Sequence, residues 1–210
     1  MIKKNILFDN DGVLVDTEQW YYKANVEILK DMGVALNEAR YMDIMIHGRS
    51  AFEVAEEVGF PHAEIEAARD RRNVLYQHYI KTEDITISGV HEIIKELSKK
   101  YTMCVITSAL REDFELIHKN SGITECMEFA LCSGEYGRAK PYPDPYLKGL
   151  ERLGAHADES IVVEDSQRGL HSALNAGMEC VVVHNHFTVS HDLSKATHKI
   201  QTLAELEALL

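Results

Sequence analysis

Two aspartates near the start of the chain, Asp9 and Asp11, directly follow a short apolar run and are separated by one residue. The run Ile6-Leu7-Phe8 is typical of a buried strand, and Gly12 allows a sharp turn after the acids. Successive side chains of an extended segment point to opposite sides, so the two carboxylates are expected to point the same way. They could then share a divalent cation or a proton-transfer task. The alternative is an acidic, solvated turn at the end of a strand.

Strand and helix patterns alternate from residue 86 onward. The predicted strands cover residues 103–107, 129–132, 161–163 and 180–183, and the predicted helices begin near residues 90, 112, 145, 167 and 203. Such alternation predicts an α/β fold, with a Rossmann-like, mostly parallel sheet that helices cover on both faces. The first strand, which ends at Asp9, is expected to belong to the same sheet.

Residues 17–84 show helical patterns and no clear strand. Helices are predicted near residues 17–33, 37–45, 50–58 and 62–80. We therefore expect an α/β core domain of residues 1–16 and 85–210, with a helical cap domain of residues 17–84 inserted into it. A cap of this size is expected to close over the edge of the sheet, exclude water and set specificity for a small molecule.

The composition excludes several classes of partner. The chain has 22 Lys and Arg against 34 Asp and Glu, which gives a net charge of −12 and disfavours nucleic acids and anionic membrane surfaces. No stretch has the length of a membrane span, and no secretory signal is predicted. The four cysteines show no CxxC spacing and are expected to be free thiols in a reducing compartment, so the predicted location is the cytoplasm.

Polar residues follow three further predicted strands: Thr107-Ser108, Lys140 and Glu164-Asp165. Ligands of parallel sheets bind beyond the carboxyl ends of the strands, so these groups should converge with Asp9 and Asp11. Together they predict a hard-cation site suited to Mg²⁺ with a phosphate beside it. Taken singly, each has an ordinary explanation: Thr107 as a strand end, Lys140 as a surface charge, and the Glu164-Asp165 pair as acids at a helix N-terminus.

Four segments carry a family resemblance: FDNDGVLVDTE, VITSA, AKPYPDPY and VVEDSQRGLHSALNAGM. In order and spacing they resemble the four signature motifs of the haloacid dehalogenase superfamily. The helical insertion after the first motif resembles the subgroup that contains beta-phosphoglucomutase and many sugar-phosphate phosphatases. The resemblance implies Mg²⁺-dependent phosphoryl transfer, because the dehalogenases of this superfamily do not carry the second aspartate, Asp11.

The resemblance also implies roles for individual residues. Asp9 would be the nucleophile that forms an aspartyl-phosphate, and Asp11 would act as acid and then as base. Thr107 would bind the transferred phosphoryl group, assisted by the backbone amides near Asn10 and Ser108. Lys140 would neutralise charge and orient Asp9. The implied Mg²⁺ ligands are Asp9, the backbone carbonyl of Asp11, Asp165 and, directly or through water, Glu164.

The helical insertion is expected to determine the substrate. Arg49 and Arg72 are candidates for contacting the substrate beyond its phosphate, since the arginine fork suits anions, although either can be a solvated helix charge. The residue that matches the cap histidine of phosphomutases is Tyr21, and tyrosine is a poor proton shuttle near neutral pH. Hydrolysis of a small phosphomonoester, a sugar or polyol phosphate, is therefore expected.

Two alternatives to hydrolysis remain open, a phosphomutase and a non-catalytic binding module that depends on phosphate or Mg²⁺. The expected partner is a small phosphorylated metabolite, and the chain is expected to be a monomer or a weak homodimer.

Overall fold

The computed structural model describes residues 2–210, which divide into two compact units. One unit is formed by the residues up to Asp16 together with Thr86–Leu210, and the other is Thr17–Ile85. The second unit is an insertion into the first, and Ile85 belongs to the inserted unit.

A single sheet forms the centre of the first unit. Its strands are β1 (Asn5–Phe8), β2 (Thr102–Ile106), β3 (Ala130–Leu131), β4 (Ser160–Glu164), β5 (Glu179–Val183) and β6 (His198–Ile200). All neighbours are parallel, in the order β3-β2-β1-β4-β5-β6. The predicted α/β fold with a parallel sheet is thus confirmed. Because β1 pairs with both β2 and β4, the loops that follow these three strands start side by side.

Four helices make up the inserted unit. They are α1 (Glu18–Asp31), α2 (Glu38–Ile46), α3 (Glu53–Glu57) and α4 (His62–Thr82). The residues from 17 to 84 contain no strand. Among the described residues, no helix combines the length and the apolar character needed to cross a membrane.

Helices of the first unit cover both faces of the sheet. They are α5 (Val90–Leu97), α6 (Arg111–His118), α7 (Asp144–Leu153) and α8 (Gln167–Asn175). Side chains of β1 alternate between two apolar clusters: Phe8 packs in the cluster of α5 and α6, and Leu7 packs in the cluster of α7 and α8. A strand buried on both faces is typical of a parallel sheet, and it holds the end of β1 rigidly.

The C-terminal part differs from the sequence predictions in two places. Strand β6 was not predicted, because three residues with one buried apolar side chain, Ile200, form no recognisable pattern. The helix predicted from residue 203 onward is a 3₁₀ helix, Leu203–Ala208, which begins with a capping box between Thr202 and Glu205. Further 3₁₀ turns occupy Thr124–Cys126, Ala157–Glu159 and His186–Thr188.

Candidate active site

The loop after β1 is folded tightly against the loop after β4. The backbone N–H of Asp9 donates to the carbonyl of Val163 at 2.8 Å, which continues the pairing of the two strands. Gly12 has a φ of +78°, and a Cβ there would lie 2.3 Å from Asp165 Oδ2. Glycine is therefore required both by the backbone conformation and by the close approach of the Asp165 carboxylate.

Lys140 is buried between two carboxylates. Its Nζ donates to Asp9 Oδ1 at 2.9 Å, to Glu164 Oε1 at 2.7 Å and to the carbonyl oxygen of Ile106 at 3.0 Å. Its side chain is 4% exposed. Burial alone lowers the pKa of Lys140, but the charges of Asp9 and Glu164 outweigh burial and hold the pKa above its usual value. The ammonium group is therefore charged, and all three of its N–H donors are used.

The pKa of the Asp9 carboxyl is raised to about 7. Burial is the main cause, the neighbouring charge of Glu164 adds to it, and Lys140 acts in the opposite direction. A further positive charge beside this carboxyl would favour its ionised form, because opposite charges stabilise each other in a buried site. Lys140 alone thus does not fully compensate the acids gathered here.

Glu164 is held by several donors at the end of β4. Oε1 accepts from Tyr146 Oη at 2.6 Å as well as from Lys140, and Oε2 accepts from Ser166 Oγ at 3.1 Å. The residue is fully buried. Gly169, in the first turn of α8, leaves the space that the carboxylate occupies, since a Cβ there would lie 1.8 Å from Glu164 Cδ. These contacts hold the Glu164 carboxylate in place, and the carboxylate in turn positions the Lys140 ammonium group.

Asp9, Glu164 and Asp165 form a buried acidic cluster that could hold a metal ion. One carboxylate oxygen of each lies within 4.8 Å of the others. Oxygen donors of this kind suit hard divalent cations, and the raised pKa of Asp9 marks a place where a cation is stabilising. Asn185 Nδ2 donates to Asp165 Oδ2 at 2.9 Å and orients that carboxylate. The residues present therefore fit a hard divalent cation.

Asp11 and Thr107 face each other across the ends of β1 and β2. Thr107 Oγ1 lies 3.4 Å from Asp11 Oδ2 and accepts the backbone N–H of Ala109 at 3.0 Å. Tyr136 Oη donates to the carbonyl of Thr107 at 2.8 Å and braces the loop. Thr107 is buried, while Asp11 is partly exposed and Ser108 is exposed. Of the two aspartates, Asp11 is therefore more accessible to solvent than Asp9, which is buried.

The two candidate arginines of the inserted unit have different surroundings. Arg49 is an exposed residue that pairs with Glu53 at 2.6 Å and Asp43 at 3.4 Å. Arg72 is 9% exposed, and its Nη1 donates to Asn25 Oδ1 at 2.8 Å. Its guanidinium stacks on the Tyr21 ring at 4.3 Å, and it forms no ion pair within the described chain. A buried guanidinium held only by neutral groups is suited to an external anion.

Sequence reasoning missed the residues that orient the predicted ones: Tyr146, Asn185, His118, Tyr136 and Arg168. Asn185 follows the carboxyl end of β5, so the rule that found Lys140 and Asp165 could have found it. Arg168 donates to the backbone carbonyl of Lys140 at 2.6 Å. His118 lies at the end of a helix, and no sequence signal distinguishes it from a surface histidine.

The substitution Gly169→Ala tests the fixed position of Glu164. We expect it to lower the free energy of unfolding by about 3 kcal/mol, because displacing Glu164 breaks a buried ion pair. The matched control is Gly149→Ala in α7, whose Cβ would meet only the flexible ends of Leu7 and Ile106 at 2.8 and 2.9 Å. There the gain in helix propensity, about 1 kcal/mol, offsets the crowding. Equal losses in urea unfolding of the two variants would contradict this account.

Comparisons with known proteins identify the family and support the fold. The family model described as haloacid dehalogenase-like hydrolase matches residues 6–183, which include the ends of β1, β2 and β4 and Lys140. The crystal structure of CbbY from Rhodobacter sphaeroides in complex with phosphate has the same fold, with a TM-score of 0.82 and 22% sequence identity. The match covers 98% of this chain and 96% of that one.

Two curated relatives extend the comparison. Protein SUPPRESSOR OF QUENCHING 1, chloroplastic, of Arabidopsis thaliana is 31% identical over 187 residues, which are 85% of this chain but only 17% of that protein. Hexitol phosphatase A of Escherichia coli (strain K12) is 29% identical over 182 residues, which are 86% of this chain and 82% of that protein. On the family match and the site geometry together, the chain is an enzyme that belongs to the haloacid dehalogenase-like hydrolases.

Proposed function

We propose that the protein is a Mg²⁺-dependent phosphatase that hydrolyses a small phosphomonoester, a sugar or polyol phosphate, through an aspartyl-phosphate on Asp9. The observation that carries this proposal is the buried contact of Lys140 with Asp9 and Glu164. It fixes Asp9 beside Asp11 and partly compensates its charge, as a carboxylate nucleophile with its own acid requires. The name of the hexitol phosphatase relative supports the substrate class.

The acidic cluster is the proposed Mg²⁺ site. Asp9 and Asp165 would supply side-chain oxygens and Asp11 its backbone carbonyl, while Glu164, whose oxygens accept hydrogen bonds from Lys140 and Tyr146, would act through water. When bound, Mg²⁺ neutralises charge on the phosphoryl oxygens. Asn185 keeps Asp165 in position for this task.

The remaining chemistry belongs to the side chains of the chain itself. Asp9 attacks phosphorus while Asp11 gives its proton to the departing alkoxide, so the substrate leaves as an alcohol. Asp11 then takes a proton from water, which attacks phosphorus and releases inorganic phosphate, and Asp9 is restored. Thr107 and the backbone amides near Asn10 and Ser108 hold the phosphoryl oxygens, and Lys140 offsets their charge.

Recognition beyond the phosphate is proposed for the inserted unit. Arg72 is the stronger candidate, since its guanidinium is buried and forms no ion pair with a carboxylate of residues 2–210, whereas Arg49 is already paired with Glu53 and Asp43. The expected ligand is a small phosphorylated metabolite. All four cysteines are free, which supports the proposed cytoplasmic location, and we propose a monomer or weak homodimer as the working form.

Phosphate release from sugar, polyol and nucleoside monophosphates tests the reaction. We expect release with Mg²⁺, a preference for sugar or polyol phosphates, and no release with EDTA or with Asp9→Asn. Asp11→Asn should slow turnover by about 10²- to 10⁴-fold, the usual contribution of a positioned acid. Isomerisation of a sugar phosphate without phosphate release, dependent on a bisphosphate, would instead indicate a mutase. Tight phosphate binding without turnover would indicate a binding module.

The role of Arg72 is tested with two substrates. For the preferred substrate, Arg72→Ala should raise KM by about 10- to 100-fold, the contribution of a charged hydrogen bond. For p-nitrophenyl phosphate, which offers no polar groups beyond its phosphate, kcat/KM should stay near the wild-type value. Arg71→Ala, an exposed neighbour in α4, is the matched control and should alter neither. Equal losses for both substrates would show that Arg72 only stabilises the inserted unit.

A further inference from the structure

A buried histidine is hydrogen-bonded to the residue between the two catalytic aspartates. His118, the last residue of α6, is 5% exposed, and its Nε2 lies 2.6 Å from Asn10 Oδ1. Asn10 is fully buried and lies between Asp9 and Asp11 in the chain. Neither His118 nor the side chain of Asn10 has a part in the proposed chemistry, so the contact needs its own explanation.

In this hydrogen bond, His118 is the donor and Asn10 is the acceptor. An amide oxygen only accepts, so His118 Nε2 carries the hydrogen and donates it to Asn10 Oδ1. His118 Nδ1 then accepts from the hydroxyl of Ser121 at 2.9 Å, and Ser121 Oγ accepts the backbone N–H of Ile123 at 3.1 Å. A chain of hydrogen bonds thus runs from the segment after α6 to the loop after β1. Such chains are mutually reinforcing and hold their members in one arrangement.

The surroundings of the pair are apolar. Phe114 lies against the His118 ring with centroids 4.6 Å apart, and Val13, Leu14 and Phe114 belong to one buried apolar cluster. Burial lowers the pKa of His118 to about 4, so the imidazole is neutral near pH 7. A polar pair in such a place costs desolvation, and two apolar side chains would avoid that cost.

Burial of the Asn10 side chain is energetically unfavourable. Its Nδ2 is buried and has no hydrogen-bond partner in the part of the chain that the structure describes. Its backbone carbonyl accepts from the N–H groups of Val13, Leu14 and Val15 at 3.3, 2.8 and 3.2 Å. The same residue therefore joins the turn after Asp11 through its backbone and α6 through its side chain.

We propose that His118 is a positioning residue, which holds Asn10 and thereby fixes the relative orientation of Asp9 and Asp11. This inference rests on the proposed roles of the two aspartates. Attack and proton transfer need both carboxylates in one geometry, and an error of about 1 Å can cost about 10²-fold in rate. The backbone hydrogen bonds to the Asn10 carbonyl shape the loop after β1, and His118 connects that loop to α6.

Substitutions at His118 test the proposal through kcat. His118→Leu should lower kcat by about 10- to 100-fold, with little change in KM. His118→Gln, which keeps an N–H donor of similar reach, should recover most of the loss. His156→Leu, at an exposed histidine of the same unit, is the control and should retain the wild-type kcat. Equal kcat values for the Leu and Gln variants would overturn the proposal.

Substitution of Asn10, the acceptor of the His118 hydrogen bond, provides a second test. In an Asn10→Leu background, His118→Leu should cause little further loss of kcat, because the bond it removes is already absent. The same fold-loss in both backgrounds would show that His118 acts elsewhere, and would overturn the proposal.

A third readout does not depend on activity. Amide hydrogen exchange of residues 9–15, measured without substrate, should be faster in His118→Leu than in the wild type, His118→Gln and His156→Leu. Unchanged exchange in the Leu variant would overturn the positioning role. A wild-type protein that releases no phosphate from any compound would refute the proposed function, while the exchange measurement would still decide the role of His118.

Discussion

The site depends on one buried interaction, the contact of the Lys140 ammonium group with Asp9 and Glu164. Three charged groups with almost no exposure would each be unstable alone, since an unpaired buried charge costs several kcal/mol. Together they fix one another, because Lys140 spends its three donors on Asp9, Glu164 and the Ile106 carbonyl. The three residues come from distant parts of the chain, so their contact requires β1 and β4 to be paired and the segment after β3 to be in place.

Much of the surrounding structure follows from that contact. Gly169 leaves room for Glu164, Gly12 leaves room for Asp165, and Tyr146 and Asn185 orient these two carboxylates. Burial raises the pKa of Asp9, the charge of Glu164 raises it further and Lys140 only partly opposes them, so an imbalance of charge remains. A bound divalent cation would correct it. The same excess of carboxylates that makes the free site unfavourable suits it to a hard divalent cation.

The sequence predicted the features of the structure that depend on neighbouring residues in the chain. Apolar runs that end in polar residues predicted the strands and the edge where Asp9, Thr107 and Asp165 lie, and the parallel sheet is confirmed. Strand β6 was missed because three residues are too few to show the alternation of apolar and polar side chains that marks a strand. The contacts of His118 and Tyr146 depend on packing between distant elements, which periodicity does not encode. The roles assigned to Arg49 and Arg72 stay predictions, but their surroundings differ: Arg49 is an exposed charge in ion pairs, and Arg72 is a buried charge hydrogen-bonded to the neutral Asn25.

The central claim is that Asp9 carries the phosphoryl group, and direct trapping tests it. The variant Asp11→Asn, which lacks the group that activates water, would be mixed with Mg²⁺ and p-nitrophenyl phosphate, whose leaving group departs without a proton from Asp11, then quenched in acid and mapped by peptide mass spectrometry. We expect the added mass of one phosphoryl group on the peptide that contains Asp9, and none when Asp9→Asn is combined with it. Phosphorylation at another residue, or none while the wild type turns over the same substrate, would contradict the account.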